Sequence, residues 1–174
     1  MSISGNTVEQ INWLKERWKG DLPNLIVLAL NEGQDITLLL EQLPQQGQSP
    51  HDSDRLDLRG IDLSHQNLRG PWSTTEKGRN RIGVYLKEVD LSYADLSWAM
   101  LPRADLRGAV LKGTCLDHAE LIYADFTGAD LSGATLQGAW LLDTLFYDAK
   151  ITETQLKQRR SLGQLDFDYH AFEI

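Results

Sequence analysis

The sequence predicts a mainly β fold, a solenoid, preceded by a small α-helical segment and closed by a short cap helix. Two periodic observations and one local one predict this. Every fifth residue from Leu86 to Ile151 is large and apolar, and the residue two places before each is small or β-branched. The stretches on either side carry helical spacing and capping residues instead.

At the N-terminus, Val8, Ile11, Leu14 and Trp18 follow helical spacing, and Gly20 stops the run. Asp21 opens a second segment through Leu25, Ile26 and Ala29. Asp35 opens a third, with Ile36, Leu39, Leu40 and Leu43 as its apolar set and Pro44 at its end. Residues 1–43 are too few to bury an independent core, so these helices are expected to lean on the repeat or on another chain. Residues 44–55, beginning PQQGQSPHDS, read as a linker.

The repeat occupies residues 56–151. Its expected inward centres are Leu86, Leu91, Leu96, Leu101, Leu106, Leu111, Leu116, Leu121, Phe126, Leu131, Leu136, Leu141, Phe146 and Ile151. A period of five suits neither a helix (3.6) nor a strand (2.0), so the chain must turn one corner per repeat to return each centre to a common interior. Leu156 continues the period, as does Thr154 among the small residues. An earlier block, LDLRG, IDLSH and QNLRG, puts Leu58, Leu63 and Leu68 in another phase. The eighteen-residue step from Leu68 to Leu86 is not a multiple of five, so residues 71–81 (PWSTTEKGRNR) are expected to form a loop thrown out at one corner. Such an insertion is either simply tolerated in solvent or part of a binding feature.

After the repeat, Thr152 and Gln155 form a capping-box pattern, with Glu153 in the first turn and Lys157, Arg159 and Arg160 at the other end. Residues 152–174 are therefore expected to hold a cap helix that takes in Leu156, followed by a tail carrying Phe167, Tyr169 and Phe172.

The segments AVLKG, AELIY, ADFTG, ADLSG, ATLQG and AWLLD resemble the pentapeptide-repeat family, whose motif is A(D/N)LXX. The resemblance covers residues 56 to about 158. It implies a right-handed quadrilateral β-helix in which residues twenty apart stack, and a bacterial origin. It also raises the prospect of a DNA-mimicking ligand of DNA gyrase, since some members look like B-DNA in shape and charge.

Stacking at that interval sorts the outward residues into four strips. Three are polar: Asp105, Asp125, Lys87 and Arg107; Asp90, Asp130 and Lys112; and Asp95, Cys115, Asp117, His118 and Gln137. The fourth holds Met100, Pro102, Ile122, Trp140 and Leu142, with Glu120, Arg103 and Asp143 as its charges. An apolar band of that size marks an interface, covered by the protein's own helices, by a second copy in a homodimer, or by another partner.

The net charge of −8 is spread along the chain, which argues against nucleic-acid binding and favours basic partners. The single cysteine, Cys115, excludes an internal disulfide. No signal peptide or membrane-spanning run is evident, so a cytoplasmic protein is expected and membrane association is not. Cys115 and His118 have C-x-x-H spacing, but two ligands fall short of the four of a structural zinc site. The recurrent Asp residues follow from the repeat, and a convex solenoid gives them no cleft in which to act as acid and base. No enzymatic activity, metal or cofactor is expected. The leading function is a protein-interaction scaffold with an unidentified protein partner. The alternatives are the gyrase ligand, weakened because Lys87, Arg107 and Lys112 interrupt the acidic strips, and a membrane or assembly adaptor acting through Trp13, Trp18 and the apolar residues 25–30.

Overall fold

A computed structural model of the protein describes residues 8–18, 20–36, 39, 55–75 and 78–159. From Asp57 onward the backbone forms a ladder of single parallel bridges, one per pentapeptide. From Tyr85 to Lys150 each bridge joins residues twenty apart, as in Asp90 with Val110 and Val110 with Asp130. Four bridges complete one turn, so the β-helix has four sides. The centres form four columns: Leu58, Leu91, Leu111, Leu131 and Ile151 on the first face; Leu63, Leu96, Leu116 and Leu136 on the second; Leu68, Leu101, Leu121 and Leu141 on the third; Leu86, Leu106, Phe126 and Phe146 on the fourth.

Nearly all these centres are fully buried. Ile151 is buried less completely and Phe146 is half-buried, because both belong to the last turn. Phe126 and Phe146 stack at 5.2 Å, so the last two layers of the fourth column are aromatic where the other centres are aliphatic. The small residues line the interior between the centres, and two of them are polar. Thr114 and Thr144 are buried and donate their hydroxyls to the carbonyls of Leu91 and Leu121, both at 2.8 Å, which removes the cost of burying them.

Each corner is a tight turn: the N–H of Ala94, for example, donates to the Leu91 carbonyl at 3.0 Å. The third residue of every such turn has positive φ, near +60° at Tyr93, Trp98 and His118, which is the type II pattern. Where an Asp precedes the centre, as at Asp57, Asp62, Asp90, Asp95, Asp105, Asp125 and Asp130, it fastens the same corner. Asp90 Oδ1 accepts from the Ser92 N–H at 2.9 Å and the Ser92 hydroxyl at 2.6 Å, and Asp62 and Asp130 do the same with Ser64 and Ser132. The acidic residue of the motif is therefore an Asx-type brace on its own backbone.

The expected loop is a β-hairpin, β1 (Trp72–Thr75) paired antiparallel with β2 (Gly78–Arg81). The bridges that span it, Asp57 with Asp90, Asp62 with Asp95 and Asn67 with Met100, join residues thirty-three apart. The excess over twenty is thirteen residues, 71–83. Removing them from the count brings Leu58, Leu63 and Leu68 into the phase of the other centres, which explains the apparent phase change in the sequence.

Both ends of the coil are capped. Helices α1 (Val8–Glu16) and α2 (Leu22–Glu32) sit on the first turn. Arg17 and Trp18 donate to the carbonyls of Asp57 and Arg59 at 2.8 and 2.7 Å, and Asn31 bonds both the Asn67 carbonyl and the Gly70 N–H. Equivalent carbonyls of the next turn, Asp90 and Ser92, accept from the turn before, so the helices take the place of a missing coil. Helix α2 ends at Gly33 in a left-handed conformation with the Gln34 N–H returning to the Ala29 carbonyl. Of the expected third helix, Ile36 is buried and Leu39 partly so; Leu40, Leu43, Pro44 and the linker up to residue 54 lie outside the described residues.

At the other end, α3 (Glu153–Lys157) carries the full capping box of Thr152 and Gln155. The buried Gln155 donates its amide to the carbonyls of Leu131 and Ala134, both at 2.8 Å. Leu156 belongs to this helix and covers the interior, whereas Thr154, in phase with the small inward residues, is exposed on α3 because the chain leaves the coil after Ile151. The tail with Phe167, Tyr169 and Phe172 lies outside the described residues. None of the described helices is long and apolar enough to cross a membrane.

Candidate interaction surface

The third face carries every residue of the expected apolar strip. Met100 and Trp140 stand in the bridge column with Glu120 between them, each one turn apart. Pro102, Ile122 and Leu142 follow two places later in the chain and form the adjoining column; all five apolar residues are half-buried. In the described residues, the hydrogen bonds of α1 and α2 to the coil go to its first turn, so those helices cap the end and not this strip.

The structure adds a column that the strip assignment missed. His65, Trp98 and His118 occupy the corner between the second and third faces and stack as a ladder, with ring centroids 6.0 Å apart for His65 and Trp98 and 4.3 Å for Trp98 and His118. The twenty-residue interval alone groups His118 with Asp95, Cys115, Asp117 and Gln137 on a polar strip. Its ring instead leans along the corner, because Gly138 in the next turn has no side chain; a Cβ there would come within 2.5 Å of the ring. The one visible signal was that His118 follows Trp98 by twenty residues, at a turn position that looks simply exposed. His65 is thirty-three residues before Trp98, and the hairpin hides that equivalence.

Corner and face together line a groove of about 450 Å³ formed by Trp98, Met100, His118, Glu120, Gly138 and Trp140. Its walls are two indoles, an imidazole and a thioether, and Glu120 supplies a carboxylate. Arg69 reaches it from the first turn, with Nη2 3.3 Å from Glu120 Oε2 and 3.4 Å from Met100 Sδ. At the next corner, between the third and fourth faces, the Arg103 guanidinium lies 4.8 Å over the Tyr123 ring.

The first and fourth faces are braced by ion pairs. Arg107 pairs with Asp105 at 2.6 Å and reaches Asp125 at 3.9 Å. Lys112 and Lys150 flank Asp130 at 3.4 and 3.5 Å, and Arg59 lies between Asp57 and Asp90 at 2.8 and 3.8 Å. The Arg107 hydrogen bond lowers the Asp105 pKa against the opposing effect of burial. Burial raises that of Asp57, but the hydrogen bonds and charges of Arg59 and Arg17 outweigh it and hold the carboxyl at about 2. Asp57 and Asp105 are therefore held ionised and tied to their arginines, which does not suit them as proton donors near neutrality. Cys115 is a free, half-buried thiol, and among the described residues no group of three or more His, Cys, Asp or Glu side chains could hold a metal ion.

The family model for pentapeptide repeats matches in eight copies, in overlapping stretches from residue 82 to residue 158. Among solved structures, the chain is similar to a pentapeptide repeat protein of the cyanobacterium Cyanothece 51142, with 24% identity over 60% of this chain and 86% of that one and a TM-score of 0.36. It is 30% identical to one from the Arabidopsis thaliana thylakoid lumen, over 56% of this chain and 62% of the other, with a TM-score of 0.28. It is 36% identical to one from Nostoc Pcc 7120, over 56% and 65%, with a TM-score of 0.30. The match thus spans less than two thirds of the latter two. No curated protein matches the chain. The period of five, the four-sided stacking and the matched family model agree that residues 82–158 are pentapeptide repeats.

Proposed function

We propose that this protein, a right-handed quadrilateral β-helix, is a non-enzymatic scaffold that binds a protein partner through its third face. The observation that supports this is the contiguity of the apolar residues: the groove from Trp98 to Trp140 and the column of Pro102, Ile122 and Leu142 adjoin on one side of a coil whose first and fourth faces are braced by ion pairs. Rigid, periodic backbone holds this surface in place before binding, which lowers the ordering cost of association.

The same ion pairs weigh against a gyrase-binding DNA mimic. Such a mimic needs unpaired negative charge along one flank, and here Arg59, Arg107, Lys112 and Lys150 sit against the acidic columns of the first and fourth faces. Gyrase supercoiling is expected to be unaffected by micromolar protein.

A photo-crosslinking residue placed at Ile122, compared in cells with one at Lys112 on the first face across the coil, tests the scaffold reading. Defined heterologous products from position 122 alone are expected. Products made only of two copies of this chain would replace the scaffold by a homodimer, and equal yields from both positions would remove the third face as the contact surface.

A further inference from the structure

The groove of the third face has a chemistry more specific than an apolar patch, and this deepens the scaffold reading on which it rests. We infer that it receives an arginine side chain from a basic segment of the partner, with the guanidinium against the Trp98, His118 and Trp140 rings and Glu120 as its counter-ion. Four features argue for this occupant.

The lining joins two indoles and an imidazole to a carboxylate, and the arginine that reaches it, Arg69, stands at its edge. Aromatic faces attract cations through their quadrupoles, which an aliphatic pocket does not do. The volume of about 450 Å³ falls within the range of small-ligand sites.

The chain's own arginines already show the preference. Arg69 lays its guanidinium against Met100 Sδ and Glu120 Oε2 at the edge of this groove. Arg103, Arg81 and Arg17 lie over the rings of Tyr123, Trp72 and Trp18 at 4.6–4.8 Å. A planar, weakly hydrated guanidinium stacks on rings at less desolvation cost than an ammonium, which favours arginine over lysine.

Charge complementarity points the same way. The chain carries a net −8, so a basic segment is drawn toward it, and Glu120 provides a negative group within the groove. The internal competitor is weakly held: the Arg69–Glu120 pair is 41% and 30% exposed at its two side chains, with its closest approach at 3.3 Å. Exposed pairs of this kind exchange readily.

The test titrates the full ¹⁵N-labelled chain with a short acetylated glycine peptide containing one arginine, and with its lysine and citrulline counterparts, reading the indole N–H signals of Trp98 and Trp140. Both signals are expected to move saturably with the arginine peptide, less with lysine, and not with neutral citrulline. Glu120→Gln should weaken binding roughly ten-fold or more, the loss of a charge-assisted hydrogen bond. Arg69→Gln should strengthen it about two- to five-fold by removing the competitor, an effect that a merely structural role for Arg69 would not produce. Equal responses to arginine and citrulline, tighter binding of lysine, or weaker binding by Arg69→Gln would each overturn the inference. Failure here with crosslinks from position 122 intact leaves the scaffold and removes its arginine; saturable shifts without those crosslinks leave the site and remove the scaffold.

Discussion

Gly70 and Gly83 lie one directly on the other at the corner where the hairpin leaves and rejoins the coil. Both have positive φ, +72° and +82°, and a Cβ on Gly70 would overlap the carbonyl of Gly83. Gly83 stands in the same relation to the Arg103 carbonyl in the next turn. The two glycines are therefore equivalent positions of the coil, separated by an insertion that starts and ends at the same corner. Close approach of backbone and left-handed φ coincide here, and only glycine meets both demands.

Deletion of residues 71–83 should leave the fold intact. Joining Gly70 to Val84 turns the bridges spanning the hairpin into twenty-residue bridges like all the others. Circular dichroism and thermal melting should show the same coil, with a midpoint within a few degrees of the full chain. Gly83→Ala in the full chain should behave oppositely and cost roughly 2 kcal/mol or more, because it adds a backbone clash to the left-handed strain of about 1–2 kcal/mol. A deletion that unfolds the protein, or a harmless alanine, would contradict the equivalence.

Gln155 ties α3 to the last turn through two carbonyls, so Gln155→Ala should leave the carbonyls of Leu131 and Ala134 without those donors and remove half of the capping box. The expected loss is about 1–3 kcal/mol in urea unfolding. Glu153→Ala, an exposed position on the same short helix, should cost less than about 0.5 kcal/mol.

Acid should loosen the N-terminal cap. The Asp57 carboxyl is held at about 2 in the folded chain, below its ordinary value, so its contribution is complete above about pH 4 and is lost as pH falls toward 2. With solvent screening at this partly exposed site, the contribution is about 1–2 kcal/mol. Asp57→Asn should reduce the slope of stability between pH 4 and 2; an unchanged slope would place the acid sensitivity elsewhere.

Phe126 is fully buried and stacked on Phe146, and removing it opens a cavity between turns that cannot collapse because the backbone ladder is continuous on all sides. Phe126→Ala should cost about 3–5 kcal/mol. Phe146→Leu, at the half-buried end of the same column, should cost no more than about 1.5 kcal/mol.

What the sequence determined by itself was everything that depends on local period. Leu86 to Ile151 recur every five residues because each pentapeptide makes one corner, and the centre of every pentapeptide must return to the same interior. Thr152 and Gln155 announce their capping box in the same local way, three residues apart. The helical spacing of α1 and α2 was also legible, although their docking was not: the carbonyls of Asp57, Arg59 and Asn67 become acceptors for Arg17, Trp18 and Asn31 only once the first turn exists and lacks a coil before it.

Only the tertiary structure decided the candidate site. His65, Trp98 and His118 are single residues at left-handed turn positions, separated by thirty-three and twenty residues, and no local pattern links them. They meet because stacking converts distance along the chain into adjacency between turns, and because Gly138 leaves the space into which the His118 ring leans. The apolar strip was visible as composition, while its shape, a groove between a corner ladder and a face, depends on side-chain directions that successive turns impose on one another.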